Sequence, residues 1–188
     1  MEELKQRILR EGQVLPGGIL KVDGFVNHQV DPALMMACGH AFAAAFAKVG
    51  ATKIFTLEIS GIAPALTTAI ALNLPLVYAR KTKPVTMPDL VLMTSAPSHT
   101  KNRMVDIMTS PEYLGRGERV LIIDDFLASG QTTRALIRLV QGAGSTVVGI
   151  GALIEKTFEG GRESLEDVGA PIVALAQITS LEGGIHLA

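Results

Sequence analysis

Residues 120–133 read Val-Leu-Ile-Ile-Asp-Asp-Phe-Leu-Ala-Ser-Gly-Gln-Thr-Thr, and this stretch decides the fold. It begins with four apolar residues, three of them β-branched, which predict a buried central strand. Asp124 and Asp125 follow at the carboxyl end of that strand, and a helix is predicted to begin near Gln131. Because ligands of open α/β sheets bind at the carboxyl ends of the strands, the sequence predicts a binding site here.

The residues that follow the two carboxylates suit an anionic group. Ser129, Gly130 and Thr132 can surround an anion with backbone N–H groups and hydroxyls at the N-terminus of the predicted helix. Carboxylates would be a poor choice beside phosphate alone, but they can accept hydrogen bonds from two neighbouring sugar hydroxyls. The pattern therefore predicts a sugar phosphate. Two solvated acids and a helix N-cap would explain Asp125 or Ser129 singly, but not the whole order.

Composition favours one folded domain over residues 1–188. With 48% hydrophobic residues the chain can bury a core, and its formal net charge of −1 gives no reason to expect nucleic acid or an anionic membrane as a partner. No apolar run reaches membrane-spanning length, and the charged segment that starts at Met1 does not resemble a signal peptide. Cys38 has no second cysteine to pair with, so we expect a small buried hydrophobe and a cytoplasmic location. The four histidines show no metal-ligand spacing.

Strands and helices alternate along most of the chain, which predicts the α/β class with a mainly parallel sheet flanked by helices. An antiparallel excursion, Asp89–Ser95 and Met104–Met108, is predicted around a long mobile loop. About residues 1–32 do not fit the alternation and are expected to form a separate small hood at the sheet edge. The predicted strands are Lys53–Glu58, Leu76–Arg80, Arg119–Asp125, Thr146–Glu155 and Ile172–Ile178, and the predicted helices are Glu2–Glu11, a helix between the Asp31 N-cap and Gly50, Ala63–Asn73, Thr132–Gly142 and Gly161–Val168.

Other strand ends also carry polar groups. Ser60 and Gly61 form a second candidate anion loop, although most turns of this composition are only turns. Two such loops on one sheet would suit a substrate with a phosphate at one end and a diphosphate at the other. Arg80 and Lys81 end the next strand, and Lys156 ends a long apolar one. Taken alone, these cations indicate solvated strand ends.

Together these stretches resemble the type I phosphoribosyltransferases, whose diphosphosugar signature is an apolar strand, two aspartates and a small-residue loop. The triphosphate-binding pattern G-x-x-x-x-G-K-[ST] is missing. The resemblance covers nearly the full chain, is weakest from about Pro84 to Gly117, and is strongest to the bacterial members that act on xanthine. It is carried further by Ile19–Asp23, Asn27–Pro32, Glu58–Pro64 and Ile154–Lys156.

The resemblance implies a role for each group. Asp124 and Asp125 would hold the ribose hydroxyls of 5-phospho-α-ribosyl 1-diphosphate (PRPP) and serve as the catalytic pair. Mg²⁺ would arrive with the diphosphate of this co-substrate rather than at a site built by the protein alone. Lys156 would contact the oxygen at position 6 of a purine, Asn27 the other polar edge, and Leu20 would give a backbone contact or an apolar wall. The implied PRPP-binding residues are Ala128, Ser129, Gly130, Gln131, Thr132, Ser60, Gly61, Arg80 and Lys81. The candidates for stacking on the base are Phe25, Phe126 and Phe158, and ordinary core packing is expected for at least one of them.

The implied reaction converts xanthine and PRPP to xanthosine 5′-monophosphate (XMP) and pyrophosphate in purine salvage, in a homodimer whose Lys81 serves the neighbour's diphosphate. Ser129 and Thr132 stand where the relatives tend to have Asn and Ala, which keeps adenine or hypoxanthine and guanine open as alternative bases. A PRPP-sensing transcriptional regulator of the same fold is the alternative from another class. It would usually carry a basic DNA-binding segment, and nothing before Asp23 has that length or charge.

Overall fold

The computed structural model describes residues 1–97 and 104–188. Its strands are β1 Gln13–Leu15, β2 Ile19–Lys21, β3 Lys53–Leu57, β4 Leu76–Ala79, β5 Leu92–Pro97, β6 Met104–Thr109, β7 Arg119–Leu127, β8 Thr146–Lys156, β9 Ile172–Ser180 and β10 His186–Leu187. Its α-helices are α1 Glu2–Glu11, α2 Pro32–Ala45, α3 Ile62–Leu72 and α4 Gln131–Gly142. A π-helix spans Asp23–Asn27, and 3-10 turns span Thr157–Glu159 and Glu163–Val168.

A six-stranded sheet forms the centre, in the order β10-β9-β8-β7-β3-β4. All neighbouring pairs are parallel except β10 with β9, so the predicted mainly parallel sheet is confirmed. β7 is a central strand, as its apolar run predicts. Leu121 and Ile123 pack into the core that holds α2 and α3, whereas Val120 and Ile122 pack into the core that holds α4. This alternation of side chains along one strand buries both faces of the sheet.

The N-terminal segment is more closely integrated than the expected separate lid. Leu4 and Ile8 of α1 are fully buried in the core of α2 and α3, because they lie on one face of the helix. Phe25 and Val26 of the π-helix are buried in the same core. The antiparallel hairpin β1–β2 is the more exposed part of this segment, and all of β1 is exposed.

The predicted antiparallel excursion is present as the hairpin β5–β6. It is fastened to α4 by Arg138, whose Nε donates to Thr94 Oγ1 at 2.9 Å and whose Nη2 donates to the Ser95 carbonyl at 2.8 Å. The connection predicted to be a mobile loop includes residues 98–103, which lie outside the described residues.

The structure tests the predictions made for Cys38 and for the segment 161–168. Cys38 is a free thiol with no exposed surface, and burial raises its pKa to about 12, as expected of a small buried hydrophobe. The predicted short helix Gly161–Val168 is present as a 3-10 helix that spans Glu163–Val168. Within the described ranges, no helix combines the length and apolarity needed to cross a bilayer.

Candidate active site

The two aspartates lie at the carboxyl end of β7 in unequal surroundings. Asp124 is only 7% exposed, whereas Asp125 is partly exposed and its backbone N–H donates to Asp124 Oδ1 at 3.1 Å. Burial, and then the neighbouring charge of Asp125, raise the pKa of Asp124 above its ordinary value, and the Lys81 ammonium opposes that rise. Asp124 is therefore a buried acceptor, and Asp125 the more accessible one.

The second anion loop lies directly against Asp124. A Cβ atom placed on Gly61 would be 2.5 Å from Asp124 Oδ1 and 2.1 Å from Thr56 Oγ1, so only glycine fits between β3 and β7 here. Thr56 is fully buried, and its hydroxyl has no hydrogen-bond partner among the described residues. The sheet thus brings the second loop into contact with the carboxylate at the end of β7. This close packing was not predictable from either motif alone.

Glu58 connects the second loop to the basic strand end. Its Oε1 accepts a hydrogen bond from the Lys81 backbone N–H at 2.8 Å, and its Oε2 lies 3.3 Å from Arg80 Nε. The Arg80 backbone also pairs with Met108 of β6, and its guanidinium carbon lies 5.9 Å from the ring centroid of Tyr78. Arg80 and Lys81 are therefore held beside the Ser60–Gly61 loop rather than being free basic residues at a strand end.

The first anion loop, Ala128–Thr132, is shaped by the segment that follows β8. Gly130 has φ +80°, and a Cβ there would lie 2.4 Å from Ser164 Oγ. A Cβ on Gly161 would lie 2.1 Å from the Ala128 carbonyl oxygen, and Ser164 Oγ lies 3.2 Å from the Ser129 carbonyl oxygen. Gly130 is the N-cap of α4 and has no side chain to accept from the first backbone N–H groups of the helix, which are the kind of group that binds an anion.

Lys156 has partners within the chain and is not simply solvated. Its Nζ donates to the Gly18 carbonyl at 2.9 Å and to Glu159 Oε1 at 3.0 Å. The first contact brings the turn of the β1–β2 hairpin to the carboxyl end of β8. This contact supports a hood in that position. The β1–β2 hairpin and the loop after β8 therefore meet at the ammonium group.

The structure gives less support to the other residues that were predicted to contact the base. Asn27 is exposed at the end of the π-helix, and no described contact links it to Lys156. Leu20 is 6% exposed and belongs to the hydrophobic core. Phe25 is wrong as a stacking candidate, because it is fully buried, with the Arg7 guanidinium carbon 5.5 Å from its ring centroid.

The other two phenylalanines differ in exposure. Phe126 is partly buried against the core, whereas Phe158 is 49% exposed. Phe158 lines a cavity of about 470 Å³ together with Val14, Leu15, Gly18, Thr179, Ser180, Leu181 and Glu182. Phe158 is thus the candidate with the most ring surface available to a ligand.

Sequence reasoning missed four residues that organise the site. They are Glu58, which joins the second loop to the cations, Glu159, which pairs with Lys156, and Arg162 and Ser164, which hold the segment after β8. Only Glu159 had a local signal, because its distance of three residues from Lys156 suits an ion pair on a helical turn. The others depend on contacts between segments distant in sequence.

The fold and the site define a phosphoribosyltransferase. The phosphoribosyl transferase domain family matches residues 29–173, and the chain belongs to this family. It is 48% identical over 185 residues to a xanthine phosphoribosyltransferase of Pseudomonas putida, covering 98% of this chain and 97% of the relative. It is also 48% identical to the xanthine phosphoribosyltransferase of Listeria monocytogenes, covering 97% of this chain and 95% of that one.

Solved structures agree on the architecture. An adenine phosphoribosyltransferase from Rhodothermus marinus superposes with a TM-score of 0.76 at 29% identity, covering 94% of this chain and 97% of that one. The adenine phosphoribosyltransferase from Giardia lamblia, solved with 9-deazaadenine, gives a TM-score of 0.79 at 22% identity over 94% of this chain and 98% of that one. At that identity the second likeness shows the fold alone.

Proposed function

We propose that the chain transfers the phosphoribosyl group of PRPP to xanthine, giving XMP and pyrophosphate. The observation that carries the choice of base is the 48% identity, over nearly the whole chain, to enzymes named xanthine phosphoribosyltransferase. This similarity to enzymes also decides against a non-catalytic regulator. Adenine remains the competing base, since the structural relative from Rhodothermus marinus, at 29% identity, is named for it.

In the proposed reaction, the C1–oxygen bond to the diphosphate breaks and a bond from C1 to a ring nitrogen of the base forms. If the base enters neutral, the proton that its ring loses is taken up by the departing pyrophosphate. Asp124 and Asp125 accept hydrogen bonds from the ribose hydroxyls and hold C1 between the two loops. No side chain needs to act as a nucleophile, because alignment of reactants can supply roughly 7–11 kcal/mol of a barrier.

The departing diphosphate needs positive charge. Ser60, Gly61, Arg80 and Lys81 lie around one loop, and Glu58 fixes the strand end that carries the two cations. Such pre-arranged charge stabilises the leaving group as its own charge develops. We propose the same residues for diphosphate binding and Ala128–Thr132 for the 5′-phosphate.

A Mg²⁺ ion bound to PRPP fits the donors present. Mg²⁺ prefers carboxylate and phosphate oxygens, and Asp125 is a partly exposed carboxylate beside the proposed sugar site. No group of three or more His, Cys, Asp or Glu side chains suited to a metal occurs in the described part of the chain. When bound, the ion would neutralise diphosphate charge, and Asp125 is the residue that would face it.

Lys156→Ala and Asn27→Ala are expected to weaken oxopurine use while leaving the KM for PRPP nearly unchanged. Xanthine is an acidic purine, and a nearby ammonium favours its anion. Steady-state kinetics with xanthine, guanine, hypoxanthine and adenine measure this. Lys21→Ala, which removes an ammonium from the hood that pairs with Asp23, is the matched control and is expected to change none of the four. An equal loss for every base, or a large rise in the KM for PRPP, would contradict the base-binding roles.

We also propose a homodimer, supported by an apolar surface next to the diphosphate loop. Leu66 and Ile70 are 48% and 58% exposed and lie one turn apart on α3, which has no charged residue. Ile59 of the diphosphate loop is 78% exposed. A second copy would remove this apolar surface from water. The free thiol of Cys38 supports the cytoplasm as the proposed location.

Mixing Lys81→Ala subunits with Asp125→Asn subunits is expected to restore activity if Lys81 acts across the dimer. A mixed dimer then holds one doubly damaged site and one intact site, so two nearly inactive parents together reach about a quarter of wild-type activity when half of the dimers are mixed. Within one chain, the charge of the Lys81 ammonium acts to lower the pKa of Asp124. Proven mixed dimers without recovery would therefore assign Lys81 to its own chain.

A further inference from the structure

The ammonium of Lys156 is already paired with a carboxylate before any base arrives. Glu159 Oε1 lies 3.0 Å from Nζ, and the two side chains are only 12% and 28% exposed. The Gly18 carbonyl takes a second Nζ hydrogen at 2.9 Å, so one of the three hydrogens of the ammonium remains for a ligand. Any base that binds Lys156 therefore meets a cation whose charge is partly balanced.

An ion pair between Glu155 and Arg162 closes the loop that carries Glu159. Glu155, just before Lys156, is 2% exposed and accepts from Arg162 Nε at 2.9 Å and from Arg162 Nη2 at 2.6 Å. Gln177 donates to the same carboxylate at 2.9 Å, and Arg162 Nη1 donates to the Ile172 carbonyl at 2.9 Å. Burial raises the pKa of Glu155, but the hydrogen bonds from Arg162 and Gln177 outweigh it and the pKa is lowered.

This closed loop also limits where Glu159 can move. Residues 155–162 are held at both ends by the Glu155–Arg162 pair, and Gly161 packs on the Ala128 carbonyl of the 5′-phosphate loop. A bidentate pair of this kind fixes geometry more firmly than a single contact does. The backbone of Glu159 is thus held close to Lys156, and the Glu159 carboxylate pairs with the Lys156 ammonium.

We infer that Glu159 is a specificity-determining residue that lowers the preference of the site for an anionic purine. The inference rests on the proposed base-binding role of Lys156. The Glu159 carboxylate near Lys156 opposes the charge of the xanthine anion, whereas a neutral base such as guanine or hypoxanthine carries no charge for it to oppose.

Glu159→Gln tests this with little change of shape, since the amide oxygen can still accept from Lys156. We expect the ratio of kcat/KM for xanthine to that for guanine to rise by about fivefold, the effect of one partly exposed charge pair. The change should lie in the KM for xanthine, with the KM for PRPP unaltered. Glu166→Gln is the matched control, because Glu166 is an exposed acid on the following 3-10 turn.

The possible results distinguish a failure of the Glu159 role from a failure of the proposed function. An unchanged ratio, or an equal change for both bases, would overturn the role of Glu159 while the wild-type enzyme still uses xanthine. The same shift in Glu166→Gln would also overturn it, because the effect would then be one of general surface charge. A wild-type enzyme that does not use xanthine at all would instead overturn the proposed function, and this is seen before any variant is compared.

Discussion

Asp125→Asn should lower kcat/KM for PRPP by about 10- to 100-fold, since a hydrogen bond to a charged group is worth about 1.5–3 kcal/mol. The amide keeps the size of the side chain but removes the anionic acceptor for a ribose hydroxyl. Asp125 is partly exposed at the end of β7, so the fold should tolerate the change. Initial rates over a range of PRPP concentrations, with a thermal melt as the folding control, measure the effect.

Asp124→Asn should cause a comparable loss of activity and a gain in stability. Burial raises the folded pKa of Asp124 above its ordinary value of 3.8, so the protonated form is the one that folding favours. That contribution to stability is complete below the ordinary pKa and is lost as the pH rises through the elevated folded pKa. At neutral pH a neutral amide avoids the cost of a buried charge. A lower Tm together with unchanged kcat/KM would contradict both parts of this expectation.

Gly61→Ala is expected to lower kcat/KM by about 100-fold, because displacing a positioned group by about 1 Å can cost that much. The added Cβ would lie 2.1 Å from Thr56 Oγ1, 2.5 Å from Asp124 Oδ1 and 3.1 Å from the Leu57 carbonyl oxygen. Either Asp124 or the diphosphate loop must therefore move.

Gly142→Ala is the control for Gly61→Ala. Its Cβ would meet no atom within 4 Å at the end of α4, so activity and Tm should stay at wild-type levels or the Tm should rise slightly. Wild-type kinetics in Gly61→Ala would show that the diphosphate loop does not lie against Asp124 in the working enzyme. Loss of the folded state in that variant would be visible as a lost thermal transition.

The sequence was sufficient to predict those features that depend on local pattern. The apolar run of β7 predicts a central strand, and the observed strand Arg119–Leu127 extends two residues beyond the prediction. Asp31 caps α2 as predicted, accepting hydrogen bonds from the backbone N–H groups of Ala33 and Leu34. In both cases the cause lies in residues close together in the sequence. The apolar run makes β7 suited to burial on both faces of the sheet, and the Asp31 side chain supplies a hydrogen-bond acceptor at the start of α2.

Features that depend on distant segments could not be predicted in this way. α2 ends at Ala45, not at Gly50, and β10 adds an antiparallel strand that no periodicity indicated. The partners of Lys156 are the Gly18 carbonyl of the hood and Glu159, which lies in the loop that the Glu155–Arg162 pair closes. The sequence could not show that Phe25 is a core residue, because its burial depends on how the π-helix packs against α1 and α2.

A competition assay tests the central claim most directly. The full-length protein is incubated with PRPP, Mg²⁺ and equal concentrations of xanthine, guanine, hypoxanthine and adenine, and the four nucleoside monophosphates are separated and quantified at early times. We expect XMP to be the main product, formed with an equal amount of pyrophosphate and absent when PRPP is omitted. AMP as the main product, with XMP at background level, would contradict the account of the base while leaving phosphoribosyl transfer in place.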